Sequence, residues 1–242
     1  MLIKDFICVD LETTGLSAAR ERIIEIGAVK YRNGAEVDRF SEFVRQEIPV
    51  PLRITELTGI TQSDVDGAPF ETEQMTKFLK FAENDRVFIG HNLNFDYSFL
   101  AIAAGRMNIT LEKLGIDTLK ISKKCCADMP TRTLEALCCR YDIINESAHR
   151  ACCDAKATAE VYLKLLEEFG GEYPEVFEPA RLEYKVKKTE PATEKQKRYL
   201  KALLEYHGLA ADINFGTLTK SEASRRIDGI ILNYGLMPYR SY

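Results

Sequence analysis

The sequence contains no run of about 18 apolar residues, so no segment reads as a transmembrane helix. Its start, MLIKDFICVD, has one early lysine, then an acid, and no small-residue cleavage site; it reads as a first strand and not as a signal peptide. The seven cysteines, Cys8, Cys125, Cys126, Cys138, Cys139, Cys152 and Cys153, include no C-x2-C spacing of the kind structural zinc sites use. An odd count without a secretion signal also argues against a disulfide framework, and small buried hydrophobes in a reducing cytosol are expected. A cytoplasmic protein with no membrane partner is the expectation. What is present is an ordinary globular composition, 45% hydrophobic and 29% charged, net −4, over 242 residues. That length suits one substantial core with or without a small appendage.

Hydropathy patterning supplies the elements. A first strand covers roughly residues 3–9, and two β-rich runs, Ile23–Tyr31 and Val37–Val44, flank the turn residues Asn33-Gly34 as a hairpin. PVPLRI reads as loop, and PFETEQMTKFLKFAE as an amphipathic helix with Phe70, Met75, Phe78, Leu79 and Ala82 on its apolar side. RVFIGH is a short strand, and FDYSFLAIAAGR, TLEALCCRYDI and ACCDAKATAEVYLKLLEEFG are further helices. A strand meander followed by alternating strands and helices predicts a mixed α/β sheet covered by helices. The expected organisation is a domain at 1–170, a charged, proline-bearing linker at 171–192, and a small basic helical module at 193–242. In that module Thr193 with Gln196 and Thr219 with Glu222 fit the capping-box pattern.

Three stretches put charge where a core would prefer none. In VDLETTGL, Asp10 and Glu12 stand at i and i+2 of a strand, so both carboxylates project from one face. In HNLNFD, Asp96 enters a helix after a strand end, and in HRACCDA, Asp154 lies in a helix otherwise lined by Ala, Val, Tyr and Leu. His91–Asp96 and His149–Asp154 share one five-residue spacing at loop-to-helix junctions. Four carboxylates converging on a sheet edge raise one another's pKa unless cations lie between them, and hard oxygen ligands favour Mg²⁺ or Mn²⁺. Two such ions are a device for displacement at phosphorus.

DLETTGL, HNLNFD and HRACCDA, in that order, resemble the three motifs of the DEDD-type 3′→5′ exonucleases, in the branch whose third motif carries histidine. That family includes the proofreading epsilon subunit of bacterial DNA polymerase III. IIEIGAV, ELTGIT, DTL at Asp117 and RTLEALCCRYDI extend the likeness across residues 1 to about 168. The resemblance implies a ribonuclease-H-like fold: a five-stranded mixed sheet, strands one to three antiparallel, helices on both faces. It implies that Asp10, Glu12 and Asp154 hold one divalent cation, that Asp10 and Asp96 serve a second, and that His149 deprotonates the attacking water. Thr13, Thr14 and Leu16 match positions lining the terminal nucleotide, and His91, Asn92 and Phe95 positions beside it; Leu16 and Phe95 could equally be core. The implied partners are nucleic acid with a free 3′ end and a DNA polymerase subunit. A catalytically retired nucleic-acid-binding or adaptor domain on the same fold, an RNA-trimming exoribonuclease and an endonuclease of the wider superfamily stay open.

The overall charge hides a split. Residues 185–242 hold 11 Lys/Arg against 6 Asp/Glu, a balance of +5, and residues 1–184 hold the remaining 22 against 31, a balance of −9. Lys195, Lys197, Arg198, Lys201, Arg225 and Arg226 are candidates to meet phosphates, with ordinary surface cations on a packed helical cap as the alternative.

Overall fold

Strand β1, Phe6–Thr13, explains most of the architecture. Ile7, Val9 and Leu11 enter one apolar cluster, with Met75, Phe78, Phe99 and Leu100. Phe6 and Cys8, on the opposite pleat face, enter another with Ile121, Leu137, Val161 and Tyr162. A strand buried on both faces needs helices on both sides, and it has them. Helices α3 (Glu71–Phe81) and α4 (Asn94–Arg106) supply the first layer; α5 (Thr118–Cys125), α6 (Leu134–Arg140) and α7 (Ala151–Phe169) supply the second. Continuing the period of two, the face of Phe6 and Cys8 ends in Asp10 and Glu12, towards α7.

The computed structural model describes residues 3–184, 191–210 and 213–236. The strands run β3-β2-β1-β4-β5-β6, with β2 (Ile23–Arg32), β3 (Ala35–Phe43), β4 (Val87–Gly90), β5 (Leu114–Asp117) and β6 (Ala180–Arg181). β1, β2 and β3 are antiparallel, β1, β4 and β5 are parallel, and β6 closes the far edge antiparallel to β5. The hairpin turn falls at Asn33-Gly34, both at positive φ. Cross-strand partners Phe6 and Tyr31 stack at 5.0 Å, an arrangement adding about 0.5–1.5 kcal/mol beyond area burial.

Several expectations need correction. The sheet has six strands, not five, because chain beyond residue 170 returns to it: Phe177 and Leu182 are buried in the two clusters, and Gly115 leaves the space that Leu182 fills. The first compact unit therefore runs to Tyr184, so residues 171–184, expected as part of a linker at 171–192, belong to it; residues 185–190 lie outside the described residues. PVPLRI is not all loop, since α1 (Leu52–Thr58) starts after Pro51 and ends at Gly59 at φ 73°. A second short helix, α2 (Gln62–Asp66), follows. Phe70 sits in extended conformation just before α3, outside its helical phase; it is exposed, with the Arg45 guanidinium 4.9 Å from its ring. Of the cysteines, Cys8, Cys126 and Cys138 are buried and Cys139 is exposed; all seven are free.

The described residues of the second unit, Lys185–Tyr242, form a pair of helices, α8 (Glu194–Tyr206) and α9 (Lys220–Tyr234), around Ala192, Leu200, Leu203, Leu218, Ala223 and Ile227. Thr193 and Gln196 form a reciprocal capping box, and Thr219 accepts from the Glu222 amide. Of the candidate phosphate-binding cations, Lys197, Lys201 and Arg226 pair with acids three or four residues away, and the Arg225 side chain lies outside the described residues. Among the described residues no helix is long and apolar enough to cross a membrane.

Candidate active site

The C-terminal end of β1 gathers the acids. Asp10 lies opposite Gly27 and Glu12 opposite Glu25 in the antiparallel register. Gly27 matters sterically: a Cβ there would collide with the backbone of Ala151 and Cys152, so only glycine lets the start of α7 lie on the sheet. That approach brings Asp154, in the first turn of α7, to the β1 carboxylates. Asp96 comes from the other helix layer, in the first turn of α4, and its Oδ1 accepts the Leu11 amide at 3.1 Å.

His149 completes the group. One carboxylate oxygen each of Glu12 and Asp154 and one ring nitrogen of His149 lie within 4.8 Å of one another, a span that a single ion can bridge. The histidine is exposed and left-handed at φ 64°, a conformation costing a non-glycine residue about 1 kcal/mol or more. Its amide donates to Asp154 Oδ2 at 2.8 Å while Asn145 Nδ2 donates to Oδ1 at 2.6 Å, so both oxygens of Asp154 are aimed by donors from one loop.

The electrostatics is one-sided. Burial pushes Asp10 well above the usual carboxylate range, and Asp96, Asp154, Glu12 and Glu25 push further. Glu12 is pushed up to about 8, first by burial and then by Asp154, Glu25 and Asp96, with Arg150 opposing. Burial also raises Asp96 and Asp154, the latter offset by the donors from Asn145 and His149. Such a cluster ionises at neutral pH only with positive charge among it. Oxygen donors with one imidazole suit a hard divalent cation better than a thiolate-seeking one.

The expected nucleotide-lining residues divide. Leu16, three residues beyond the end of β1, is 88% exposed, so it is not core. Thr13 and Thr14 are buried, and their groups serve the loop: Thr13 Oγ1 donates to Gly15 O, Thr14 Oγ1 donates to Glu21, and the Thr14 amide donates to Arg22 O. The half-buried His91 has its Nδ1 3.0 Å from Thr118 Oγ1 and bonds the Arg132 backbone; burial holds its pKa below the ordinary value. Asn92 is exposed at φ 69°, its amide on Asp117. Phe95 packs half-buried against Phe99, 5.1 Å between rings. Sequence reasoning passed over Glu25, Gly27, Arg150 and Asn145. The available signal was Glu25 itself, an acid inside the otherwise apolar run IIEIGAV that opens β2.

Acids gathered at the end of a central strand, on a mixed sheet layered by helices, are the arrangement of the ribonuclease-H-like fold class. The model of the RNase T family, described as exonuclease, matches residues 7–162, and the chain belongs to that family. The PolC-type DNA polymerase III of Caldanaerobacter subterraneus subsp. tengcongensis is 43% identical over 164 residues, and that of Bacillus subtilis 35% over 166. These alignments take in 68% and 67% of this chain but only 12% and 11% of the polymerases. The chain thus carries an exonuclease domain homologous to a small segment of those enzymes. Exonuclease X in complex with 5′-overhanging duplex DNA shares the fold at TM-score 0.58 and 20% identity, over 72% of this chain and 99% of that one. The nuclease domain of 3′hExo, a DEDDh family member bound to rAMP, does so at 0.59 and 19%, over 68% and 92%.

Proposed function

We propose that this chain is a 3′→5′ exonuclease that hydrolyses nucleic acid, DNA first, from a free 3′ end with two Mg²⁺ or Mn²⁺ ions. The observation that carries this is the crowding of Asp10, Glu12, Asp96 and Asp154 with His149 at one strand end, every acid raised by burial and Asp10 and Glu12 pushed further by the neighbouring carboxylates. Asp10, Glu12 and Asp154 would hold one ion, and Asp10 with Asp96 the other. Bound ions neutralise the carboxylates and stabilise charge developing on the attacking and leaving oxygens. His149 takes the proton of the attacking water, the water oxygen bonds to phosphorus, and the P–O3′ bond breaks with its electron pair going to O3′ of the shortened strand, which takes a proton from solvent as a nucleoside 5′-monophosphate is released. Leu16, exposed just beyond the end of β1, would offer an apolar surface to the terminal base. Thr13 and Thr14 shape the loop that presents it, while Asn92 and Phe95 flank the start of α4. His91 holds that junction from within the protein and does not need to touch substrate.

DNA is preferred as substrate because the polymerase relatives are DNA polymerases, and a DNA polymerase is the partner class to test. A cytoplasmic location accords with that reading. The experiment compares end-labelled linear single-stranded DNA, the same strand circularised, mismatched duplex and RNA, with Mg²⁺ or with EDTA. The expected outcome is metal-dependent release of 5′-mononucleotides from linear DNA and survival of the circle. A circle cut at a comparable rate would make this an endonuclease. RNA consumed faster than DNA would make it an exoribonuclease, and activity undiminished in EDTA would end the metal assignment.

A further inference from the structure

We infer that Arg150 is a positioning residue that latches the loop carrying His149 onto the sheet, through a seat made by Glu25 and Phe43. This rests on the proposed hydrolytic role of His149. Glu12, Glu25 and Phe43 form one row across three strands, because Glu12 pairs with Glu25 and Glu25 pairs with Phe43. Directly opposed residues share a face, here the face on which α7 lies. The row therefore places a carboxylate of the acidic pocket, a second carboxylate and an aromatic ring in sequence.

Arg150 occupies the last two places. Its Nη2 donates to Glu25 Oε1 at 2.9 Å and its Nε approaches both Glu25 oxygens at 3.3 Å. The guanidinium carbon lies 5.1 Å from the centre of the Phe43 ring. Glu25 also accepts the Ala151 amide at 3.1 Å, so it caps the start of α7 from the neighbouring sheet. Glu25 is almost fully buried, 1% exposed, which makes Arg150 the counter-charge of a desolvated acid and not a loosely held surface cation. A planar fork on a carboxylate fixes direction as well as distance. With Arg150 seated, the residue before it is carried over the first member of the row, and His149 lies at Glu12. The unusual backbone of His149 fits this: a left-handed residue is kept where its neighbours on both sides are tied, here by Asn145 and by Arg150.

The latch predicts a loss in turnover without a loss in binding. The variants are Arg150→Ala, Arg150→Lys and Phe43→Leu in the full chain, and the probe is the p-nitrophenyl ester of thymidine 5′-monophosphate with Mn²⁺. That ester is too small to meet any distant phosphate contact. Arg150→Ala should lower kcat about 10–100-fold, with KM and Mn²⁺ affinity within about twofold of the parent. Arg150→Lys should recover part of that loss, since a lysine can pair with Glu25 but not fork onto it. Phe43→Leu, which leaves Glu25 paired, should give a smaller loss of the same kind even if Arg150→Ala does not fold. Hydrogen exchange at the His149 amide should accelerate as kcat falls across the series. Unchanged kcat in the folded arginine variants, or a loss lying wholly in KM or in Mn²⁺ affinity, overturns the latch. A parent that hydrolyses neither ester nor DNA overturns the proposed function instead. The exchange series then decides the latch alone, and equal exchange rates in parent and variants reject it.

Discussion

Two stretches of this chain look alike and are used differently. His91–Asp96 and His149–Asp154 have the same spacing at the same kind of junction, and both aspartates reach the site at β1. The histidines do not share a fate. His91 follows a strand buried under two helix layers, and its ring is consumed by Thr118 and the Arg132 backbone. His149 follows an exposed loop, turns left-handed, and points a ring nitrogen at Glu12 and Asp154. What separates them is the surroundings: the His91 ring is held between Thr118 and the Arg132 backbone, whereas the start of α7 lies over Gly27, next to the β1 acids. Equal spacing in sequence does not secure equal surroundings: the tertiary neighbours decide which imidazole reaches the acids at β1.

The largest effect should come from what the two stretches share. Asp96→Asn and Asp154→Asn are each expected to reduce nuclease activity to the level seen in EDTA, as is Asp10→Ala, measured by release of mononucleotides from labelled DNA. Retention of substantial activity by either asparagine variant would separate the aspartates and break the symmetry.

The histidines should then diverge. His149→Ala is expected to lower kcat about 10²–10⁴-fold with near-normal Mn²⁺ and DNA binding. His91→Ala should keep kcat within a few-fold while destabilising the fold by about 1–2 kcal/mol, since Thr118 loses a buried partner. Equal turnover defects would mean that His91 also works on substrate.

A smaller effect appears in metal-free stability. The Glu12 pKa stands near 8 in the folded state against an ordinary 4.5. Between those values the folded chain holds a proton that the unfolded chain has released. Stability in EDTA should therefore fall as pH rises from about 5 to about 8, and saturating Mn²⁺ should flatten that slope. Melting temperatures across this range, with EDTA and with Mn²⁺, check it; a flat profile in EDTA would show that the acids already have a counter-charge within the protein.

The smallest expected change concerns neither stretch. Truncation after Tyr184, the end of the first unit, should spare turnover on the small ester. If the second unit meets phosphates, truncation should flatten the salt dependence of oligonucleotide binding by roughly 0.7 in log–log slope per lost single-strand contact. With Lys197, Lys201 and Arg226 already paired to acids, a small loss is expected. An unchanged slope would assign the unit to packing or to a protein partner.

The sequence alone determined the strand meander and the paired acids at the end of its first strand. Asp10 and Glu12 share a face because a strand has a period of two, and the hairpin at Asn33-Gly34 follows from residues that tolerate positive φ. These are local rules, and local rules can be read from neighbours in the chain. Only the tertiary structure decided that Glu25, Phe43 and Arg150 form a seat, that Gly27 makes room for α7, that Leu16 is exposed and Phe95 half-buried, and that residues 171–184 return to complete a sixth strand. Each depends on which residue lies opposite which across a gap of many residues. Glu25 and Arg150 stand 125 positions apart, and no periodicity within either segment records the distance between them.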